Sequence, residues 1–135
     1  MLADEVLGVG VAFGGGMRKS GPLAAAGLVA LRESPPRIPD DHHRAKRLGN
    51  LLACVRPLRL AYPVYTNIVD AFFDAATLDG QAVVAALARR SIAVTGPWQS
   101  PHGRWLRFVT HYGITDDDID EAAHAVEQAL KQSRR

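Results

Sequence analysis

One stretch, "RWLRFVTHYGITDDDIDEAAHAVEQALKQ" (residues 104–132), decides the fold, because it predicts a strand followed closely by a capped helix. Its first nine residues, 104–112, alternate with the two-residue period of a β-strand. One face of this strand carries Trp105, Arg107 and Val109, and the other carries Leu106, Phe108 and Thr110. We therefore expect a strand over residues 104–112.

The helix that follows has both a start signal and an apolar stripe. Thr115 and Asp118 have the spacing of a capping box, in which each residue satisfies a backbone N–H of the other. The stripe at helical spacing consists of Ile119, Ala122, Ala123, Val126 and Leu130. We expect this stripe to be the buried face of the last helix.

Two strands, a helix and a turn are predicted directly before this unit. A strand is predicted for "TNIVDAFFDA" (residues 66–75) from its apolar and aromatic content. A helix is predicted for "LDGQAVVAALARR" (residues 78–90), with Thr77 as its cap. A short strand is predicted for "SIAVTG" (residues 91–96), and a turn for "PWQSPHG" (residues 97–103).

Glycine and proline divide the first half of the chain. The glycines before residue 17 make that segment a poor helix or strand on its own. A helix is predicted for "SGPLAAAGLVALRE" (residues 20–33), and "SPPRIP" (residues 34–39) then breaks the chain. The next helix begins at Asp40 and Asp41, and its apolar face consists of Ala45, Leu48, Leu52 and Val55.

This order of elements is typical of an α/β (α+β) layer sandwich, in which helices cover a small antiparallel or mixed sheet of about three strands. A chain of 135 residues favours one domain. We expect residues 1–17 to form an atypical glycine-rich lead-in and residues 18–135 to form the domain.

The composition excludes several classes of function. A net charge of +2 with interspersed signs argues against binding to nucleic acid or to an anionic membrane. The single Cys54 rules out an internal disulfide framework and fits a reducing compartment. The N-terminus lacks the basic region of a signal peptide, so we expect a cytoplasmic protein.

The glycine run "AFGGGMRKSG" (residues 12–21) leaves two interpretations open. Glycine-rich backbone before a helix can bind phosphate through its N–H groups, with Arg18 and Lys19 adding positive charge. Its spacing fits neither a Walker A loop nor a dinucleotide-binding fingerprint. The alternative is a flexible joint.

Arg107 is the best single candidate for recognition of a carboxylate. It lies between Leu106 and Phe108 in a strand expected to be buried, where a guanidinium is costly without an anionic partner. Its planar fork of donors suits a ligand carboxylate. A structural salt bridge is the alternative, and the residues alone leave both open.

Three other candidates have simpler explanations. The adjacent residues Asp40–His43 fan around a helix, which argues against one metal ion and leaves an acidic helix start. His111 has no local carboxylate or nucleophile beside it, so we expect a hydrogen-bonding role at the strand end. Cys54 occupies an apolar helix position, where we expect a core residue.

Several segments together resemble the small C-terminal domain of the L-threonine aldolases, members of the beta-eliminating lyase family. They are "FGGGMRKSGPLAAAGLVAL" (residues 13–31), "DDHHRAKRLGNLLA" (residues 40–53), "TNIV" (residues 66–69) and "LRFVTH" (residues 106–111), followed by the acidic final helix. The resemblance implies the small-domain fold of fold-type I pyridoxal-phosphate enzymes. It also implies cleavage of β-hydroxy-α-amino acids to glycine and an aldehyde.

The resemblance also implies roles for two arginines. Arg107 matches the arginine that holds the substrate carboxylate. Arg18 matches the arginine of the glycine run, which lies near the cofactor phosphate and reaches across a subunit boundary. Self-association or a partner chain is therefore expected.

The chain departs from the family at the residues that attach the cofactor. The family's Schiff-base lysine lies upstream of the glycine run, where this chain has none, and Val11 and Lys19 replace a usual lysine and glutamine. We therefore expect no covalent pyridoxal phosphate and no catalytic residue here, and an aldolase fragment that needs a complementing large domain. The alternative is a standalone, non-catalytic module that binds an amino acid carboxylate or a partner protein.

Overall fold

The computed structural model describes residues 2–12, 15, 17, 19–74, 76–100 and 103–133. The elements in this part of the chain are α1 (Leu2–Ala12), α2 (Gly21–Glu33), a 3-10 turn (Pro35–Arg37), α3 (Ile38–Ala53), β1 (Arg59–Leu60), β2 (Ile68–Phe73), α4 (Gly80–Ala88), β3 (Thr95–Ser100), β4 (Gly103–Val109) and α5 (Asp116–Gln132). The chain divides into two compact units, Met1–Arg37 and Ile38–Arg135. The expected division into residues 1–17 and 18–135 stays a prediction.

The second unit contains one antiparallel sheet with the strand order β1-β2-β4-β3. The predicted mixed α/β architecture with a small sheet is confirmed, with four strands in place of about three. The additional strand is β1, whose two residues pair with Phe72 and Ala71 of β2. Strands β2 and β4 pair over six positions and form the centre of the sheet.

Helices α3, α4 and α5 pack against the sheet and one another, and one face of the sheet supplies much of the core. The predicted alternation of β4 is confirmed, since Leu106 and Phe108 are buried and Val109 is exposed. The buried strand residues of the core are Val69, Ala71, Phe73, Leu106 and Phe108. The buried helix residues are Ala45, Leu48, Leu52, Val83, Leu87, Ile119, Ala123, Ala125, Val126, Ala129 and Leu130.

Side-chain caps define where two helices begin. The predicted capping box of α5 is confirmed, because the Thr115 hydroxyl accepts from the Asp118 N–H and the Asp118 carboxylate accepts from the Thr115 N–H. Helix α4 is capped by Asp79, whose carboxylate accepts from the N–H groups of Gln81 and Ala82. The prediction that Thr77 caps this helix is wrong, because the helix begins two residues after the expected leucine, at Gly80.

The third strand lies farther along the chain than predicted. Residues 91–94 are irregular, and β3 begins at Thr95 and runs through Trp98, where a turn was expected. Pairing with β4 is the physical reason, since Trp98 is opposite Trp105 and Gln99 is opposite Arg104. The proline at position 97 favours a turn when the sequence is considered alone. A strand at the edge of a sheet nevertheless tolerates proline.

Two local expectations are also wrong. Cys54 is exposed, because α3 ends at Ala53 and the cysteine lies in the turn that follows, outside the apolar helix face. Residues 2–12 form helix α1, although the glycines argued against it. Gly8 and Gly10 each cost only about 1 kcal/mol relative to alanine in a helix.

The first unit contains α1 and α2, and none of the thirteen residues of α2 is buried. Its exposed apolar residues include Leu23, Leu28, Val29 and Leu31. Among the described residues, no helix combines the length and apolar character that crossing a bilayer requires.

The two faces of β4 predict different responses to substitution. Leu106→Ala removes buried methyl groups and should lower the free energy of unfolding by about 2–5 kcal/mol. Val109→Thr on the same strand keeps the β-branch at an exposed position and should change it by less than about 0.5 kcal/mol. Chemical denaturation measures both, and equal losses would contradict the assigned faces.

Candidate functional site

Arg107 lies on the face of the sheet opposite the helical layer. Its cross-strand partner on β2 is Asp70, and Trp105 lies two positions earlier on β4. One third of the Arg107 side-chain surface is exposed, whereas only 1% of the Asp70 side-chain surface is exposed. Strand pairing therefore places a half-buried guanidinium directly beside a buried carboxylate.

Asp70 and Arg107 form a two-point ion pair. The guanidinium Nε donates to Asp70 Oδ1 at 2.8 Å, and Nη2 donates to Oδ2 at 2.9 Å. Both distances are typical of charge-assisted hydrogen bonds between a guanidinium and a carboxylate. The structural salt bridge, one of the two alternatives that the sequence left open, is present.

Tyr62, in the segment between β1 and β2, completes the polar contacts of Asp70. Its hydroxyl donates to Asp70 Oδ2, which also accepts from Arg107 Nη2. The tyrosine ring is about half exposed, so the hydroxyl approaches the buried carboxylate from the solvent side. With both donors in place, neither oxygen of Asp70 is buried without a hydrogen bond.

Two tryptophan rings flank the guanidinium. Arg107 Cζ lies 5.0 Å from the Trp105 ring centroid and 5.9 Å from that of Trp98. The rings contact each other, with centroids 4.5 Å apart. Both distances to Cζ suit a cation–π interaction, and these are the only two tryptophans of the sequence. We call Tyr62, Asp70, Trp98, Trp105 and Arg107 the arginine cluster.

Gly96 allows Trp98 to reach this position. The glycine has a φ of 119°, and a Cβ there would lie 2.7 Å from the Trp105 carbonyl oxygen. The register of β3 against β4 is irregular between Thr95 and Trp98, around this glycine. A side chain at position 96 would separate the strands, so glycine is needed where β3 approaches β4.

The ion pair shifts the pKa values of its members in opposite directions. Burial alone would raise the pKa of Asp70, but hydrogen bonds from Arg107 and Tyr62 outweigh it and hold that pKa below its usual value. Hydrogen bonding to Asp70 raises the pKa of Arg107 and, for the same reason, that of Tyr62. At neutral pH the cluster therefore contains one carboxylate, one guanidinium and a neutral phenol.

The ion pair leaves part of the guanidinium available. Asp70 takes the Nε–H and one Nη2–H, the Tyr62 hydroxyl also interacts with the guanidinium, and no described residue other than Asp70 is placed to accept a direct hydrogen bond from Nη1 or Nη2. These two nitrogens form the second edge of the guanidinium, which matches the two oxygens of a carboxylate. The arrangement can hold a ligand carboxylate without breaking the structural pair.

The other described residues considered from the sequence are not members of the arginine cluster. Arg18 lies outside the described residues. Asp40, Asp41, His42 and His43 lie in α3, and no group of metal-ligating side chains occurs in the described part of the chain. His111 is exposed, with Nδ1 2.7 Å from the Tyr112 carbonyl oxygen.

The lysines do not fit a covalent pyridoxal-phosphate site. The sequence contains Lys19, Lys46 and Lys131, and all three are exposed. Lys131 is paired with Glu127 on the surface of α5, with Nζ 2.6 Å from Oε1. A Schiff-base lysine needs an enclosing pocket that holds the cofactor ring, whereas all three lysines are exposed at the surface.

Asp70 and Tyr62 belong to the cluster but were not predicted from the sequence. One signal was available for Asp70, because a lone carboxylate in the apolar strand "IVDAFF" (Ile68–Phe73) is costly to bury without a partner. Its pairing with Arg107 needed the strand order, which places residues 37 positions apart in register. No sequence pattern around Tyr62 indicated that it belongs to the cluster.

The low pKa of Asp70 predicts an acid-dependent loss of stability. Its folded-state pKa lies below the unfolded value of about 3.9, so the ion pair stabilises the fold above that pH. The stabilisation is lost as the pH falls through the folded-state pKa. Asp70→Asn should cost about 2 kcal/mol at pH 7, and the difference from wild type should shrink toward pH 2.

Urea denaturation between pH 2 and pH 7 measures this difference. Glu121→Gln is the matched control, because it breaks the exposed pair with Arg90, whose nitrogen lies 3.6 Å from the Glu121 oxygen. We expect that control to lose less than about 1 kcal/mol. A cost of Asp70→Asn that stays constant over this range would contradict the assigned charge of Asp70.

The sequence of this chain is similar to those of known proteins. The sequence profile of the beta-eliminating lyases matches residues 6–76. Low-specificity L-threonine aldolase 1 of Arabidopsis thaliana is 34% identical over 120 residues, which cover 87% of this chain and 32% of that protein. The chain thus spans about a third of the length of the curated relatives it matches.

Solved structures of low sequence identity share the fold. The aminotransferase TlmJ from Streptoalloteichus hindustanus aligns with a TM-score of 0.64 at 20% identity, over 78% of this chain and 35% of that one. The 8-amino-7-oxononanoate synthase from Francisella tularensis aligns with a TM-score of 0.55 at 21% identity, over 78% of this chain and 31% of that one. Because the family profile matches more than half of its residues, the chain belongs to the beta-eliminating lyase family.

Proposed function

We propose that this chain contributes the substrate-carboxylate arginine of a threonine aldolase-like lyase, which cleaves β-hydroxy-α-amino acids to glycine and an aldehyde. The observation that carries the proposal is the second edge of the Arg107 guanidinium, because no described residue other than Asp70, which holds the first edge, is placed to accept a direct hydrogen bond from Nη1 or Nη2. The 34% identity to an Arabidopsis threonine aldolase supports an amino acid as the ligand.

Arg107 acts in this proposal by binding and orienting the substrate. A carboxylate held at two points by Nη1 and Nη2 has a defined plane, which limits how the rest of the amino acid can point. Trp98 and Trp105 flank the guanidinium and restrict the approach of water to it. Asp70 keeps the guanidinium from rotating, because two of its nitrogens are fixed.

Pyridoxal phosphate is the cofactor that the family resemblance implies, and its attachment lies outside these 135 residues in our proposal. The exposed Lys19, Lys46 and Lys131 support this division of roles. A complementing large domain would supply the lysine, and Arg18 would lie near the cofactor phosphate. The single cysteine supports a cytoplasmic location.

L-Threonine binding tests the role of Arg107. Both tryptophans of the chain belong to the arginine cluster, so their indole N–H signals report on it directly. We expect millimolar L-threonine to shift these signals in NMR spectra, and L-threoninol, which lacks the carboxylate, to leave them unchanged. Arg107→Lys keeps the positive charge beside Asp70 but loses the planar pair of N–H donors, so it should abolish the shift caused by L-threonine. Equal responses to both compounds would overturn the proposal.

A second experiment tests whether this chain attaches the cofactor. The purified chain is incubated with pyridoxal phosphate and reduced with borohydride, and adducts are located by peptide mass spectrometry. We expect scattered traces on Lys19, Lys46 and Lys131, and no retro-aldol turnover of L-threonine. A stoichiometric adduct on one lysine, with cofactor-dependent turnover, would show that this chain is itself an aldolase.

A further inference from the structure

The plane of the Asp70 carboxylate is not fixed by its own side chain. Rotation about the bond between Cβ and Cγ of an aspartate is broad, so hydrogen bonds decide how the carboxylate is oriented. The guanidinium of Arg107 pairs edge to edge with this carboxylate through Nε and Nη2, which makes the planes of the two groups depend on each other. The direction of the second guanidinium edge therefore follows the plane of Asp70.

Tyr62 supplies a hydrogen bond to this carboxylate that does not depend on Arg107. Its hydroxyl donates to Asp70 Oδ2, and the same hydroxyl interacts with the guanidinium. A donor from outside the ion pair restricts rotation of the carboxylate, because Oδ2 must stay within reach of the phenol. Tyr62 is thus placed where it can fix the plane that Arg107 follows.

The backbone next to Tyr62 is hydrogen-bonded to β2. The Ala61 N–H, one residue before Tyr62, donates to the Asp70 carbonyl oxygen at 2.9 Å. The residue after Tyr62 is Pro63, which favours an extended backbone at position 62. The position of the phenol therefore depends on the same strand that carries the carboxylate it contacts.

Val64 holds the next part of this segment against α3. It packs against the core, and a Cβ at Gly49 of α3 would lie 2.7 Å from Val64 Cγ2. A side chain at position 49 would push the segment away, so glycine is needed at this close approach. Tyr62 is therefore held by backbone hydrogen bonding on one side and by packing on the other.

We propose that Tyr62 is a positioning residue, whose hydroxyl sets the plane of Asp70 and, through it, the direction in which Arg107 presents Nη1 and Nη2 to a ligand carboxylate. This inference rests on the proposed function, because it takes Arg107 as the group that binds the carboxylate. Tyr62 does not bind the ligand, since its phenol proton is donated to Asp70. Without that hydroxyl, the guanidinium keeps its charge but no longer keeps one direction.

The variant Tyr62→Phe removes the hydroxyl and keeps the ring, and Tyr65→Phe is the matched control. Tyr65 lies in the same segment between β1 and β2 and is 74% exposed, so the same change there should leave the arginine cluster as it is. The affinity for L-threonine is measured from the two indole N–H signals. We expect it to fall about fivefold in Tyr62→Phe, which is the size of one hydrogen bond, and to stay at the wild-type value in Tyr65→Phe.

Rotation of the guanidinium tests the positioning role without a ligand. Rotation about the bond between Nε and Cζ exchanges Nη1 and Nη2, and NMR measures this exchange from the Arg107 signals, which are identified by their loss in Arg107→Lys. We expect separate Nη signals in wild type and exchange about fivefold faster in Tyr62→Phe, because one hydrogen bond that opposes the rotation is lost. A single averaged signal in wild type would overturn the proposal even where the variant fails to fold.

The failure of this inference and the failure of the proposed function differ in their readouts. If L-threonine binds wild type and Tyr62→Phe equally well, Arg107 binds carboxylates without help from Tyr62, and only this inference is overturned. A lower affinity of Tyr62→Phe with unchanged rotation would mean that the hydroxyl contacts the ligand itself, which also overturns the positioning role. If L-threonine leaves the indole signals of wild type unchanged, Arg107 binds no carboxylate, and both proposals are overturned.

Discussion

The second unit is organised around a carboxylate that water barely reaches. A buried Asp70 would be strongly unfavourable without a cation, and cross-strand pairing places Arg107 where it donates two hydrogen bonds to the carboxylate. The pair therefore depends on the register of β2 against β4, because a shift of one strand by one residue would move its member of the pair to the core face and separate the two side chains. The central strands, the flanking tryptophans and the available edge of the guanidinium all depend on that register.

The two faces of the sheet perform separate tasks. The face toward the helices contributes Leu106, Phe108 and Phe73 to the buried core. The other face places charge and aromatic rings within reach of a ligand. Strand alternation keeps the apolar core residues and the members of the arginine cluster on opposite faces.

Sequence periodicity predicted the elements with strong local signals and missed those that depend on distant partners. The capping box at Thr115 and the alternation of β4 could both be predicted, because each depends on residues that are close together in the sequence. The position of β3 could not be predicted in this way, because its pairing with β4 outweighs the turn preference of Pro97. The role of Asp70 needed a partner 37 residues away, which periodicity does not reveal.

The separation of 37 residues between Asp70 and Arg107 has a consequence during synthesis of the chain. β2 is synthesised before β4, so Ile68–Phe73 exists for a time as an apolar strand that has only the two-residue β1 as a partner. A single charge within such a segment opposes edge-to-edge aggregation. Asp70 is therefore a gatekeeper in the nascent chain before it becomes a partner in the folded one, and it protects the segment during the interval when non-local pairing is slow.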